Sequence, residues 1–241
     1  MKNKRRQELE VELEEELRYF INEGQFSQQK KIFPALGLFP KFKIEWDKGY
    51  QLIQFNGFFR LDRDPARTAW DIRELYYQRV KGKWEINVWA KKVFWGVIET
   101  NHLVDIINQT DQVQSFDGEQ KLGQPLFQLS YSSTQFGTYS LFYLPYHRKR
   151  TFPGSRGRFR FSEVLAERDF QYITDMAEWH PSFAARWSHY FGSVDIGFSQ
   201  FYGIGREPLF SFQPDGTIEP FYPEIYQACL DLQLTTGAVL L

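Results

Sequence analysis

The sequence predicts an all-β chain, an antiparallel up-and-down meander of transmembrane β-barrel type with about ten strands present. Three observations predict it. Connections between apparent strands alternate short and long. Apolar and polar residues alternate with period two over segments about twice as long as the roughly 5–6 residues of an average soluble strand. Aromatic residues, 18% of the chain, gather near the ends of those segments.

The short connections are Asp47-Lys48-Gly49, Lys81-Gly82-Lys83, Thr134 to Thr138, Phe191-Gly192-Ser193 and Thr235-Thr236-Gly237. The long ones are Gly24 to Ile32, Asp62 to Ala69, Val97 to Gln124, His147 to Pro181 and Glu207 to Pro220. Tight turns at one end and long loops at the other are the layout of an outer-membrane barrel, with periplasmic turns and outward loops. On that layout the N-terminus is periplasmic. A water-soluble sandwich has no reason to segregate its loops.

Element by element, Glu8 to Tyr19 alternates Leu9, Val11, Leu13, Leu17 and Tyr19 with Glu8, Glu10, Glu12, Glu16 and Arg18. Leu9, Leu13, Leu17 and Phe20 also form a helical stripe, and Glu and Leu are good helix formers. The strand reading is preferred because it puts the next connection on the long-loop side. In the second strand, Leu36, Leu38, Phe42, Ile44 and Trp46 oppose Gly37, Lys41, Lys43 and Glu45. In Tyr50 to Asp62, Ile53, Phe55, Gly57, Phe59 and Leu61 oppose Gln54, Asn56, Phe58, Arg60 and Asp62, which sends one set outward and one inward. Trp70 to Val80 has no clean phase, as a bulge would produce. Trp84, Ile86, Val88 and Ala90 oppose Glu85, Asn87 and Lys91. Later, Val194, Ile196, Phe198 and Tyr202 oppose Asp195, Gly197 and Ser199, and Tyr222 to Leu234 alternates apolar residues with Gln227, Cys229, Asp231 and Gln233. Ring pairs at strand ends, such as Trp46 with Tyr50 and Trp187 with Tyr190, read as interfacial girdles.

Composition excludes other classes. A formal net charge of -1 gives no bulk electrostatic case for nucleic acid. No run of about 20 apolar residues occurs, which excludes a bundle of membrane helices. Cys229 is the single cysteine, so no intrachain disulfide forms, and its reading is a small buried filler. The basic start Met1 to Arg6 is not followed by an apolar run, and Gly237 to Leu241 looks like the start of a further strand. The expectation is a single barrel domain over residues 1–241, lacking a signal peptide and truncated at its C-terminus. A native cytosolic protein is the competing explanation of the missing signal.

Between Phe94 and Pro125 lies Trp95-Gly96, then Asp105, Asn108 and Asp111, in the spacing Trp-Gly-x8-Asp-x2-Asn-x2-Asp. This resembles a motif of porin-like outer-membrane families, including alginate-export-type barrels. The stretches Asp71 to Tyr76, His102 to Asp111, Phe116 to Glu119 and Arg186 to Gly192 resemble a family of uncharacterised bacterial outer-membrane barrels. The resemblance runs from about Phe39 onward and implies a barrel in the Gram-negative outer membrane; it says little about substrate.

The same segment is long for a loop and carries aliphatics, Leu103-Val104 and Ile106-Ile107, that a loop in water does not need. A porin loop of this kind folds into the lumen. Asp105, Asn108 and Asp111 are then pore-constriction candidates; equally, Asp and Asn cap turns within loops. Lys43, Gln54, Arg60, Glu85, Arg186, Asp195 and Asp231 are lumen-lining candidates. The run His147, Arg148, Lys149, Arg150, Arg156, Arg158 and Arg160 has no carboxylate from residue 147 to 162. It reads as a contact for lipopolysaccharide phosphates, as a positive vestibule for anions, or as a solvated loop.

No metal-spaced pair among His102, His147, His180 and His189, no phosphate loop and no nucleophile elbow appears. No cofactor and no catalysis are expected. The expectation is a porin-like channel passing small polar solutes, with outer-membrane lipid and lipopolysaccharide as partners and no nucleic acid. The alternatives are a lipid-acting enzyme embedded in the outer membrane and a soluble β-barrel binding protein.

Overall fold

The computed structural model describes residues 5–94, 105–115, 117–162, 164–165, 170–212, 218–236 and 239–240. Its strands are β1 (Arg6–Tyr19), β2 (Ile32–Trp46), β3 (Gln51–Asp62), β4 (Ala69–Lys81), β5 (Trp84–Lys91), β6 (Gln124–Ser133), β7 (Gly137–Leu144), β8 (Gln171–Tyr172), β9 (Ser182–Phe191), β10 (Val194–Ile204), β11 (Leu209–Phe212), β12 (Ile218–Tyr222), β13 (Glu224–Thr236) and β14 (Val239–Leu240). An 11-stranded sheet runs in the order β1-β2-β3-β4-β5-β6-β7-β9-β10-β13-β14. All its pairings are antiparallel. Among the described residues the sheet is open: β1 pairs only with β2, and β14 only with β13.

The meander and the segregation of loops are as the sequence predicts. Two of the turns show why. Lys81 pairs with Trp84 and Phe191 with Val194, leaving two-residue connections that start with Gly82 (φ +61) and Gly192 (φ +63). A two-residue hairpin needs positive φ at its first position to match strand twist, and glycine adopts it without strain. The segment Glu8 to Tyr19 is strand, paired with β2 along its length rather than helical. The main sheet has eleven strands, close to the ten expected. One expectation changes: the connections read as loops at 147–181 and 207–220 contain strands of their own. These form a small second sheet, β11-β12-β8, at the long-loop end.

The two faces of the large sheet are opposite in character. In β3, Phe59 is 41% exposed while its neighbours Phe58 and Arg60 are 8% and 6% exposed. In β10, Phe198 is exposed while Ser199 is buried. Direct cross-strand partners share a face, so Leu38 and Phe59 belong to the exposed side, with Trp70 beyond them. The exposed side continues through Leu141, Phe183, Leu230 and Leu232. The covered side carries Arg60, Arg73, Asn87, Ser130, Ser199 and Asp231, all buried.

The phase of β4 is set by a bulge. Pairing with β3 jumps from Asn56↔Glu74 to Gly57↔Ile72, which leaves Arg73 as the extra residue. Arg73 is therefore turned to the inner side together with its flanking acids Asp71 and Glu74. A second irregularity sits at Trp89, where φ is +93. Trp89 is exposed and Ala90 buried, so Ala90 departs from the outer face that Trp84, Ile86 and Val88 predict for it.

The sheet curls around its inner face. β5 and β10 are four strand spacings apart, about 19 Å if flat. Yet the adjacent side chains of Asn108 and Gln109 donate to the carbonyls of Lys91, at the end of β5, and Arg206, just past β10. Only a curled sheet brings those ends within reach of neighbouring residues.

Candidate functional site

Residues 105–115 and 117–123, between β5 and β6, lie against the inner face. Ile107 is fully buried in a cluster with Leu126, Phe142, Leu144, Ala184 and Phe201, which are inner-face residues of β6, β7, β9 and β10. Asn108 takes three backbone partners: it accepts from Val93 N (2.8 Å) and donates to Lys91 O and Leu122 O (both 2.9 Å). Gln109, also fully buried, donates to the Arg148 and Arg206 carbonyls. Asp111 pairs with Arg73 at 2.6 Å and accepts from Thr151 Oγ1 at 2.7 Å. Gly123 presses on the Arg73 carbonyl so closely that a Cβ there would overlap it. Trp95, Gly96, Leu103 and Val104 of the motif, together with Phe116, lie outside the described residues.

The three constriction candidates thus sit on the inward loop in different settings. Asn108 and Asp111 are buried and spent on fastening the loop to the sheet. Asp105 is half-buried and borders a recess with Lys121 and Arg206.

The lumen-lining candidates all lie on the inner face. Arg60 is held by Glu14 and Glu16 of β1. Lys43 pairs with Glu45 at 2.5 Å. Gln54 donates to Asn56, which donates to Glu74. Glu85 accepts from Asn87 at 2.6 Å. Arg186 and Asp231 form a bidentate pair, both bonds 2.8 Å, that reaches across β10 over Gly197. A side chain at 197 would take the space of that pair. Asp195 borders a recess with Arg186 nearer the turns.

The basic run is mostly committed to loop-to-loop contacts. Arg148 bonds Asp71 and the Gly123 carbonyl, Lys149 pairs with Glu178, and Arg150 pairs bidentately with Glu207. Arg158 donates to the Asn22 and Glu23 carbonyls and lies over Phe20; Arg160 lies over Phe26 at 3.4 Å from the ring centre. Arg156 is exposed. The run therefore knits the long loops together. Its partners come from segments far off in sequence, so nothing local signalled them.

Next to this layer Phe170, Ile204 and Tyr222 form a buried cluster, with the half-buried rings of Phe152 and Tyr172 packed against it. His147 shares a hydrogen bond with Tyr172 Oη (3.0 Å), and burial, reinforced by the nearby Arg206 cation, pushes its pKa down to about 2. Arg206 is buried with carbonyl partners, Ile106 O and Ile107 O, and burial lowers its pKa to about 10. It ties the inward loop to the end of β10.

Between the inward loop and the β2–β4 wall a cleft of about 410 Å³ remains. Its lining includes Phe39 and Phe58, in edge-to-face contact, and the cations Lys41, Arg60, Arg67, Arg73 and Lys92. Sequence reading found only Arg60 of these at the site. Arg73 was hidden by the bulge and Arg67 by its place in the Asp62 to Ala69 connection; the run Asp62-Arg63-Asp64 beside it was the available signal.

Comparison of the chain with protein-family models, curated proteins and solved structures finds no match.

Proposed function

We propose that this chain forms the wall of a porin-like channel of the bacterial outer membrane, through which small polar solutes pass. One observation carries the reading: the sheet is apolar on its exposed face, while its covered face carries buried charged and polar residues such as Arg60, Arg73, Asn87, Ser199 and Asp231 beside an apolar patch. In water that arrangement is unfavourable, since each buried side-chain surface of Leu or Phe size is worth roughly 1.5–3 kcal/mol and here those side chains are left out. In a bilayer the same band meets acyl chains and the charged face meets a hydrated lumen. The inward loop narrows that lumen. A wall in lipid requires that no backbone edge stay unpaired, so the β1 and β14 edges must find partners in the membrane.

The reading is tested with spin labels on the full chain in lipid vesicles. Labels replacing Phe59 and Phe198 should be reached by oxygen, which concentrates in acyl chains. Labels replacing Gln54 and Ser199 should be reached by a water-soluble nickel chelate. A protein that stays monodisperse without detergent, with no such period-two alternation, sinks the proposal. Ion conductance in planar bilayers then tests passage.

A further inference from the structure

We infer that the cleft between the β2–β4 wall and the inward loop is a binding site for a small oxyanionic solute, one carrying a carboxylate or phosphate group. Its role as a step in passage rests on the channel reading; binding itself does not.

The cleft is lined by five cations, Lys41, Arg60, Arg67, Arg73 and Lys92, against two carboxylates, Glu14 and Glu16. Arg60, Arg67 and Arg73 line it and are only 6%, 7% and 7% exposed. Glu14 and Glu16 share the lining, where both pair with Arg60 and Glu16 also pairs with Arg67, whereas Asp62, Asp71 and Asp111, the other partners of Arg67 and Arg73, are not part of it. Backed in this way, each guanidinium is held rigid with part of its donor fork turned from its carboxylate. On Arg73, Nε faces Asp71 and Nη2 faces Asp111, while Nη1 is buried with no hydrogen-bond partner among the described residues. Phe58 fixes the plane of that guanidinium, with its centre 4.3 Å from the ring.

Lys92 supplies the second donor. Its ammonium has no ion pair among the described residues, although its backbone N–H donates to Glu74. Burial and the adjacent Arg73 charge push its pKa down, against a smaller upward pull from Glu74, Asp71 and Asp111. An unpaired ammonium beside a guanidinium is unfavourable when the cleft is empty, and an oxyanion between them removes that repulsion. A buried charged donor such as Arg73 Nη1 left without an acceptor costs about 1–3 kcal/mol or more, and an acceptor that reaches it recovers that cost. A guanidinium offers parallel N–H bonds that match carboxylate and phosphate oxygens. The volume is within the range of small-ligand sites, about 300–1,000 Å³.

The test is calorimetric titration of the detergent-solubilised full chain with succinate and, separately, with inorganic phosphate. Lys92→Gln is the probe variant, because no ion pair depends on that ammonium and the fold should tolerate the change. Lys48→Gln, in the turn at the other end of the sheet, removes the same charge at a distance. At least one anion should bind the parent chain, and Lys92→Gln should weaken it about tenfold, or about 1.4 kcal/mol. Lys48→Gln should leave the affinity unchanged. Succinate alone, phosphate alone or both in saturable binding identifies the accepted class. No binding of either anion, or equal loss in both variants, overturns the inference. The channel reading fails separately: anion binding without any bilayer conductance refutes the channel and keeps the site, and conductance without anion binding does the reverse.

Discussion

The two halves of the curled sheet share one alternation rule and have opposite interiors. On β6, β7, β9 and β10 the inner residues near the loops are Leu126, Phe142, Leu144, Ala184 and Phe201, and Ile107 seals them. On β2, β3 and β4 they are mostly polar, Lys41, Asn56, Arg60 and Arg73 with Phe39 and Phe58 among them, and a cleft stays open. One loop makes both arrangements within a few residues: Ile107 packs into the apolar half, and Asp111 pairs with Arg73 in the charged half. The contrast teaches that period two decides only which residues point inward. Whether the inside is filled or open depends on what those residues are and on what the loop brings to them.

The strongest way to break the contrast is Ile107→Asp. Loss of the aliphatic packing alone costs about 2–5 kcal/mol, and a carboxylate among Leu and Phe adds a desolvation penalty. The loop should leave the sealed half. Limited proteolysis should then cut within residues 105–123, and single-channel conductance of the full chain should rise several-fold. Resistance to protease with unchanged conductance would mean that this half is not sealed by the loop.

Asp111→Asn probes the open half. Breaking a buried ion pair by removing one partner costs about 3–5 kcal/mol. The amide keeps an acceptor for Thr151, and Asp71 remains 3.4 Å from Arg73 Nε, so the lower end of that range is expected. The charge effect is more specific: Arg73 gains net positive charge beside the cleft. Reversal potentials under a salt gradient should shift toward anion preference, more at low ionic strength where screening is weaker. Unchanged potentials would place Arg73 away from the path.

Much of the fold was legible. Leu, Phe and Trp at every second position marked the strands, and the turn and loop lengths marked the two ends. Even the unphased Trp70 to Val80 announced its bulge, although it did not name Arg73. The site was less legible because its bonds join residues far apart in sequence. Asp111 and Asn108 could be recognised as important loop polars, but their partners Arg73 and Lys91 enter only through folding. The basic run looked unopposed because its carboxylates, Asp71, Glu178 and Glu207, lie outside the window in which it was read. Arg206 and Gln109 gave no signal at all: a lone cation and a lone amide acquire meaning only once carbonyls from two loops converge on them.

The smallest expected effect concerns the layer above both halves. His147 is buried beside Arg206 and Lys149, with Tyr172 and Tyr222 around its ring, and its pKa falls to about 2 from an ordinary 6.5. A lowered histidine pKa means that the opened state binds the proton more readily than the closed one. Stability of this layer is therefore fully present above pH 6.5 and falls as the pH drops between 6.5 and about 2. At pH 5 the loss should reach about 2 kcal/mol, since each pKa unit is worth about 1.4 kcal/mol. Amide hydrogen exchange in residues 145–152 and 218–223 should accelerate accordingly on acidification, while exchange in β3 and β10 stays slow. His147→Phe keeps an aromatic ring among Tyr172 and Tyr222 and has no proton to gain. It should flatten this acid dependence even if it lowers the layer's stability at neutral pH through the lost Tyr172 bond. If the variant keeps the parent's acid profile, other groups open the layer and the buried imidazole is only filler.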